Sequence, residues 1–299
     1  STALESAVER SGEIEPASPV GGVVFLFPGQ GAQYVDMARG LHRRYAAFRE
    51  TVDDCLAWLE ENAALDLRAV LFSDSGESDG DGEARLRETV HAQPALFVVQ
   101  VGLVELWRSF GVEPVAMIGH SVGELAAAYA SGVMSLHDAL KLVARRGELL
   151  GAMPRGAMLA VPLGEEALTE RLAGRDGLWL AAVNAPDLCS VSGTDDTIAA
   201  FEEELRRDGY DARRLHTSHA FHSGLMDAAI APFVEAVRSV ELQAPAIPFV
   251  SNVTGDWIRT EDARDPEYWG RQIRSAVRFS EGIERVLEAP GHLLLEVGP

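Results

Sequence analysis

The chain has 299 residues, 47% of them hydrophobic and 24% charged, enough to bury the core of one large domain or two smaller ones. Its formal net charge of -20 argues against nucleic acids and anionic membranes as general partners, and no apolar run is long enough to span a bilayer. Two cysteines, Cys55 and Cys189, are too few for a disulfide framework or a zinc cluster, and the polar, acidic start lacks a signal-peptide pattern, so a cytoplasmic location is expected.

Residues 1–20 read as a linker or the end of a preceding domain. Val23-Val24-Phe25-Leu26-Phe27 is a continuous apolar run, as in a strand buried on both faces. It leads into Pro28-Gly29-Gln30-Gly31-Ala32-Gln33, and open α/β sheets hold ligands at such strand ends. No Gly-Lys-Ser/Thr follows, so a phosphate loop is poorly supported. Residues 73–83 are acidic and rich in Gly and Ser, and read as an exposed, mobile loop. Gln93-Pro94 is expected to open a helix through Trp107, with Ala95, Val98, Val99, Leu103 and Leu106 on its apolar side.

An apolar strand at 115–118 then meets Gly119-His120-Ser121-Val122-Gly123, and a helix-forming run at 124–130 follows. Strand, Gly-x-Ser-x-Gly and helix together are the setting of a nucleophile elbow. The turn is tight, so small residues must flank the serine, and backbone N–H groups at the helix start can stabilise an oxyanion. The next helix starts at Ser135, with Asp138 three residues on in a capping-box arrangement, and runs to about Leu150. At about 100° per residue, Leu136, Ala139, Leu140, Val143, Gly147 and Leu150 share one side. Arg146 falls at the margin of that side and Arg145 points to solvent. A guanidinium against packed structure needs an anion, which leaves two readings open: an internal salt bridge, or a ligand's carboxylate or phosphate. Lys141 is the only lysine, so arginine carries nearly all positive charge and no single arginine is strong evidence alone.

From Gly156 the rhythm changes. Strands at 157–161, 179–183, 188–192 and 210–215 alternate with helices at 165–172 and 196–208. The order β-α-β-β-α-β is that of a ferredoxin-like unit, expected over 152–216 as an insertion leaning over the elbow. Asn184-Ala185-Pro186 reads as a turn able to carry side chains into the cleft. His216, His219 and His222 then fall within seven residues. Metal binding lacks carboxylate or cysteine support at ligand spacing, and a general base for Ser121 is the alternative. A helix at 227–237, a strand at 247–252 and a buried strand at 293–297 complete the large unit, and Gly298-Pro299 reads as a break inside a loop.

Six motifs now stand in order: Phe27-Pro28-Gly29-Gln30-Gly31-Ala32-Gln33, Gln93-Pro94-Ala95-Leu96, Gly119-His120-Ser121-Val122-Gly123, Arg146-Gly147, Val183-Asn184-Ala185-Pro186 and His219-Ala220-Phe221-His222. Together they resemble the acyltransferase domain of polyketide synthases, similar to malonyl-CoA:acyl carrier protein transacylases, over about residues 22–299. The resemblance implies an α/β fold: a large α/β-hydrolase-like subdomain with a parallel sheet (21–151 and 217–299) plus the inserted ferredoxin-like subdomain. It implies Ser121 as nucleophile and His222 as its base, oriented by a backbone carbonyl in the 276–278 segment. Gln30 and Val122 would supply oxyanion-hole N–H groups, and Arg146 would hold a free acyl carboxylate. Gln93, Asn184, His120, His219 and Phe221 would line the substrate site, with the Val122 side chain on its wall.

No metal and no permanently bound cofactor is implied. Malonyl-CoA is the expected substrate, and a partner acyl carrier protein brings the phosphopantetheine thiol. A ketosynthase domain of the same megasynthase is the expected neighbour. Phe221 resembles the malonyl pattern, where methylmalonyl-selecting relatives show Ser. Arg206-Arg207, Arg213-Arg214 and the group Arg271, Arg274 and Arg278 are candidates for carrier docking, or else solvated faces. Two rivals share the elbow: a serine thioesterase or hydrolase, which leaves Arg146 unexplained, and a non-enzymatic scaffold, which leaves the Ser121/His222 pair unexplained.

Overall fold

The computed structural model describes residues 21–72 and 80–299, so the expected linker at 1–20 and most of the expected acidic loop lie outside the described residues. The chain enters through β1 (Gly22–Phe27), whose β-branched and aromatic run suits a strand covered on both faces. Helices α1 (Ala46–Ala63) and α2 (Thr89–Ser109) precede β2 (Pro114–Gly119), and α3 (Gly123–Ala130) and α4 (Leu136–Gly151) follow it. β1 and β2 pair in parallel with Phe27 opposite Gly119, which sets the Gln30 loop and the elbow side by side at the C-terminal edge.

The chain then builds a second sheet from β3 (Ala157–Val161), β4 (Leu178–Ala185), β5 (Leu188–Gly193) and β6 (Arg213–Arg214). Helices α5 (Glu165–Leu172) and α6 (Asp195–Arg207) alternate with these strands and bury Leu168, Ile198, Phe201 and Leu205 against them. The order β6-β3-β5-β4, antiparallel throughout, is that of a ferredoxin-like unit. After α7 (Asp227–Arg238), β7 (Phe249–Val250) and α8 (Pro266–Arg274), strand β8 (Val277–Arg278) adds itself in parallel to β4 as a fifth strand. The two sheets are therefore stitched together beside the elbow. Helix α9 (Phe279–Leu287) and β9 (His292–Glu296) complete the first sheet, ordered β7-β2-β1-β9 and parallel throughout.

Four expectations need correction. Residues 80–83 belong to a helix, Gly80–Arg87, rather than to the loop, because the helix formers around Leu86 seat that side chain in the core. Helix α2 starts at Thr89, with Pro94 inside it, four residues before the expected opening. The buried hydrogen bond from Gln93 Nε2 to Thr89 Oγ1, 2.7 Å, ties the extra turn to the residues that follow it, with Pro94 accommodated inside the helix. Asn184 is the penultimate residue of β4, which runs to Ala185, instead of sitting in a turn. β9 is an edge strand with Leu293 56% exposed, not a buried one, because it pairs with β1 alone. Helix α2 has the length and composition to cross a membrane, but most of it is buried in the main core.

Candidate active site

The elbow is dictated by contact. A Cβ on Gly119 would lie 2.1 Å from the Gly123 carbonyl carbon, and one on Gly123 would lie 2.3 Å from the Phe27 carbonyl oxygen. Only glycine lets β2 turn this sharply into α3. Ser121 at the apex takes φ +53°, and His222 takes φ +56°; Asp36 and Ala64 are the other non-glycine residues with positive φ among those described. Such a conformation costs about 1–2 kcal/mol per residue, which surrounding packing must offset.

That strain aims two side chains at each other. His222 Nε2 lies 2.9 Å from Ser121 Oγ, and its Nδ1 lies 2.9 Å from the Ser275 carbonyl oxygen. The carbonyl can only accept, so Nδ1 carries the hydrogen and Nε2 is left as the acceptor for the serine hydroxyl. The orienting carbonyl is thus one residue before the expected 276–278 segment. Ser275 caps the C-terminus of α8, where a carbonyl has no helical partner, whereas 277–278 is committed to β8. Burial, then the charges of Arg146 and His120, pulls the His222 pKa down to about 3. The ring is therefore a neutral base across the physiological range.

Arg146 is 2% exposed on the inner face of α4. Its NH1 donates to Gln93 Oε1 at 2.6 Å and its NH2 to Ser121 Oγ at 3.1 Å. Among the described residues no carboxylate lies within ion-pair distance of it, so the internal salt bridge is not found. Burial lowers its pKa to about 10, opposed by the charge of Glu124, and it stays cationic at neutral pH. From Arg146 a buried chain runs through Gln93 and Thr89 to Gln30, with Thr89 Oγ1 donating to Gln30 Oε1 at 2.9 Å. Val122 is the N-cap of α3, so its N–H belongs to the open end of a helix beside Ser121.

Above the dyad lies a cleft of about 310 Å³, lined among others by Gln30, His120, Asn184, Phe221 and the dyad itself. His120 Nε2 lies 2.9 Å from Asn184 Oδ1, a bond that joins the elbow to the second sheet. Burial lowers the His120 pKa, and the Asn184 bond opposes the shift. The three clustered histidines diverge. His216 is at the mouth, His222 is on the serine, and His219 lies outside the lining, its Nδ1 2.8 Å from Ser218 Oγ and its ring against Phe221. The Val122 side chain is 1% exposed within the main core, not on the cleft wall, because α3 turns it inward.

A family model described as the acyl transferase domain matches residues 24–299. The chain belongs to the acyl transferase domain family. This acyl transferase domain is 41% identical over 278 residues to a phenolphthiocerol/phthiocerol polyketide synthase protein of Mycobacterium tuberculosis, a match covering 93% of this chain and 18% of that much longer protein. The solved structure of the acyl transferase domain of ZmaA aligns at TM-score 0.86 and 37% identity, over 93% of this chain and 64% of that one. The malonyl CoA-acyl carrier protein transacylase of Burkholderia pseudomallei aligns at TM-score 0.81 and 31% identity, over 93% of each chain. The fold is thus the α/β arrangement with a parallel sheet and a small second sheet that these enzymes have, and the activity class is acyl transfer.

Several residues that hold this acyl transferase domain's site together are not singled out by the sequence. Asn252 straddles the elbow: its Oδ1 accepts from Ser121 N at 2.7 Å, and its Nδ2 donates to the Gly119 carbonyl at 2.6 Å. Gln272 Nε2 donates to the Ser121 carbonyl at 2.8 Å. Both follow the elbow by more than a hundred residues and carry no local periodicity, so only the fold reveals them. Thr89 stands out in the sequence only as part of Glu88-Thr89 upstream of Gln93, a pair that resembles the malonyl pattern. The candidate docking arginines all have partners, as solvated faces would. Arg213 pairs with Asp211, Arg214 with Glu202, Arg206 with Glu202 and Glu203, Arg271 with Asp265, Arg274 with Asp227, and Arg278 with Glu165. Arg207 donates to the Glu203 carbonyl. Such paired arginines offer little net positive field.

Proposed function

We propose that this domain moves a malonyl group from malonyl-CoA to the phosphopantetheine thiol of an acyl carrier protein through an acyl ester on Ser121. The observation that carries this is Arg146: a buried guanidinium with no carboxylate at ion-pair distance among the described residues, 3.1 Å from the nucleophile. A buried cation beside a reacting centre is complementary to an acyl group that carries its own carboxylate, which it can hold by two parallel N–H bonds.

Ser121 Oγ attacks the thioester carbonyl as His222 Nε2 takes its proton. The N–H groups of Gln30 and Val122 stabilise the oxyanion. The C–S bond breaks, the proton returns from His222 to the departing coenzyme A thiolate, and malonyl-Ser121 remains. The carrier thiol then gives its proton to His222 and attacks the ester, and as the C–O bond breaks that proton passes from His222 to Ser121 Oγ, restoring the free serine and the neutral ring. Gln93 orients Arg146, and the His120–Asn184 bond holds the second sheet over the cleft. His219 acts on the substrate through Phe221, whose ring it backs. The neighbours of this reading are an acyl carrier protein and a ketosynthase domain of one cytoplasmic megasynthase. The division at 21–151 with 217–299 and 152–216 belongs to the same reading. Its test is to present the acylated protein to a phosphopantetheinylated carrier protein and to the unmodified carrier. Acyl transfer to the first alone supports it, and release only as free malonate points to a hydrolase.

Phe221 lines the cleft and packs against the main core, and in this reading its ring fills the space a 2-methyl group would need. One methyl contributes about 1–3 kcal/mol of discrimination. Phe221→Ser is therefore expected to shift the malonyl over methylmalonyl competition ratio toward methylmalonyl by about tenfold or more, read as the two acyl-enzyme masses from an equimolar mixture. An unchanged ratio would remove Phe221 as the selector.

A further inference from the structure

Glu124 has no part in the chemistry above, yet it is fully buried one turn past the nucleophile. Its Oε1 accepts from the Asn252 backbone N–H at 3.2 Å and from the Tyr268 hydroxyl. Its Oε2 is buried with no hydrogen-bond partner, and so is Arg146 Nε. Gln272 stands between the two groups: Arg146 NH2 approaches its Oε1 at 3.5 Å, one N–H of its Nε2 donates to the Ser121 carbonyl, and its amide also lowers the Glu124 pKa. The pocket under the elbow thus holds one buried cation and one buried acid that sense each other without touching.

We propose that Glu124 is the resident counter-charge of Arg146 and takes up one proton from solvent when the carboxylate of an acyl group docks on that arginine. This rests on the reading of Arg146 as the acyl-carboxylate ligand. The separated cation and acid together carry no net charge, and a second carboxylate would leave a net buried negative charge. Protonation of Glu124 removes that charge, and Oε2 is the free atom that can carry the hydrogen. No bond to carbon changes, and the proton is the only species exchanged.

The surroundings support the direction. Burial raises the Glu124 pKa to about 7, while Tyr268, the Asn252 N–H, Gln272 and Arg146 hold it down. Once Arg146 shares its charge with the ligand, its restraint weakens and the pKa rises further. The other titratable groups that face this pocket keep their state at pH 8. Arg146 titrates at about 10, Tyr268 higher still, and His222 at about 3. Above pH 7 Glu124 is mostly ionised in the free protein, so proton uptake accompanies binding there and binding weakens as pH rises.

The test is calorimetric binding of malonyl-CoA to the Ser121→Ala protein at pH 8 in two buffers of different ionisation enthalpy, with acetyl-CoA as the control. Acetyl-CoA carries the same phosphates and no acyl carboxylate, so the difference isolates that group. The expected result is close to one more proton taken up with malonyl-CoA, and loss of that difference in Ser121→Ala/Glu124→Gln. In the wild type, KM for malonyl-CoA should rise up to about tenfold per pH unit above 7 with kcat little changed. Equal uptake for both ligands, or uptake that survives Glu124→Gln, overturns the inference. The wild-type comparison decides even if the double variant fails to fold. Malonyl-CoA that binds no better than acetyl-CoA overturns the reading of Arg146 as well; tight malonyl-CoA binding without proton uptake overturns the role of Glu124 alone.

Discussion

Arg146→Ala is expected to lower kcat/KM for malonyl-CoA by about 10²- to 10³-fold while changing loading of acetyl-CoA by only a few-fold. Removing one member of a buried, hydrogen-bonded charge pair costs about 2–5 kcal/mol, and about 1.4 kcal/mol corresponds to each factor of ten. The guanidinium also touches Gln93 and Ser121, so some general loss is expected from the contacts it leaves open. The ratio of the two substrates separates the effects, because acetyl-CoA has no carboxylate to lose. Equal losses for both substrates would mean that Arg146 only shapes the site. A simple serine esterase would keep its turnover of malonyl thioesters in this variant.

The second large effect concerns His222. His222→Ala is expected to slow acylation of Ser121 by about 10²- to 10⁴-fold, the range for loss of a positioned general base. The wild-type pH profile carries a sharper signature. A histidine held near a pKa of 3 is neutral at pH 5, so kcat/KM should show no acid limb at the usual histidine value near 6.5. The sign follows from the cause: lower pH protonates the base, but only far below the working range. Because Arg146 charge is one of the causes, Arg146→Ala should move the acid limb upward. Burial is the larger cause, so the limb should stop short of the free histidine value. A wild-type limb near 6.5 would show that the ring is not held as described.

Much of the site was legible because its chemistry is local. Gly119, Ser121 and Gly123 sit within five residues, and a strand entering a helix around Gly-x-Ser-x-Gly leaves few conformations open. The periodicity of α4 put Arg146 at the edge of an apolar face, though it could not decide between an internal salt bridge and a ligand. The structure removes the first by setting the guanidinium against Gln93 and Ser121 instead of a carboxylate. The parts that could not be read depend on long-range contact. Ser275 became the partner of His222 because a helix ends there, a boundary that local pattern locates only to within a residue or two. The early start of α2 depends on a hydrogen bond between two of its own side chains that also reach Arg146 and Gln30. Propensity alone places the boundary at the proline. The fold class was legible from strand and helix order, but the joining of β8 to β4 was not, since a two-residue strand carries no period of its own.

The central claim is that Ser121 carries the acyl group and that the site prefers one with its own carboxylate. Intact-mass measurement after mixing the protein with malonyl-CoA, methylmalonyl-CoA and acetyl-CoA tests both parts at once. A malonyl adduct is expected as the main species, present in the wild type and absent in Ser121→Ala. An adduct that persists in Ser121→Ala, or an acetyl adduct that dominates the mixture, would contradict that claim.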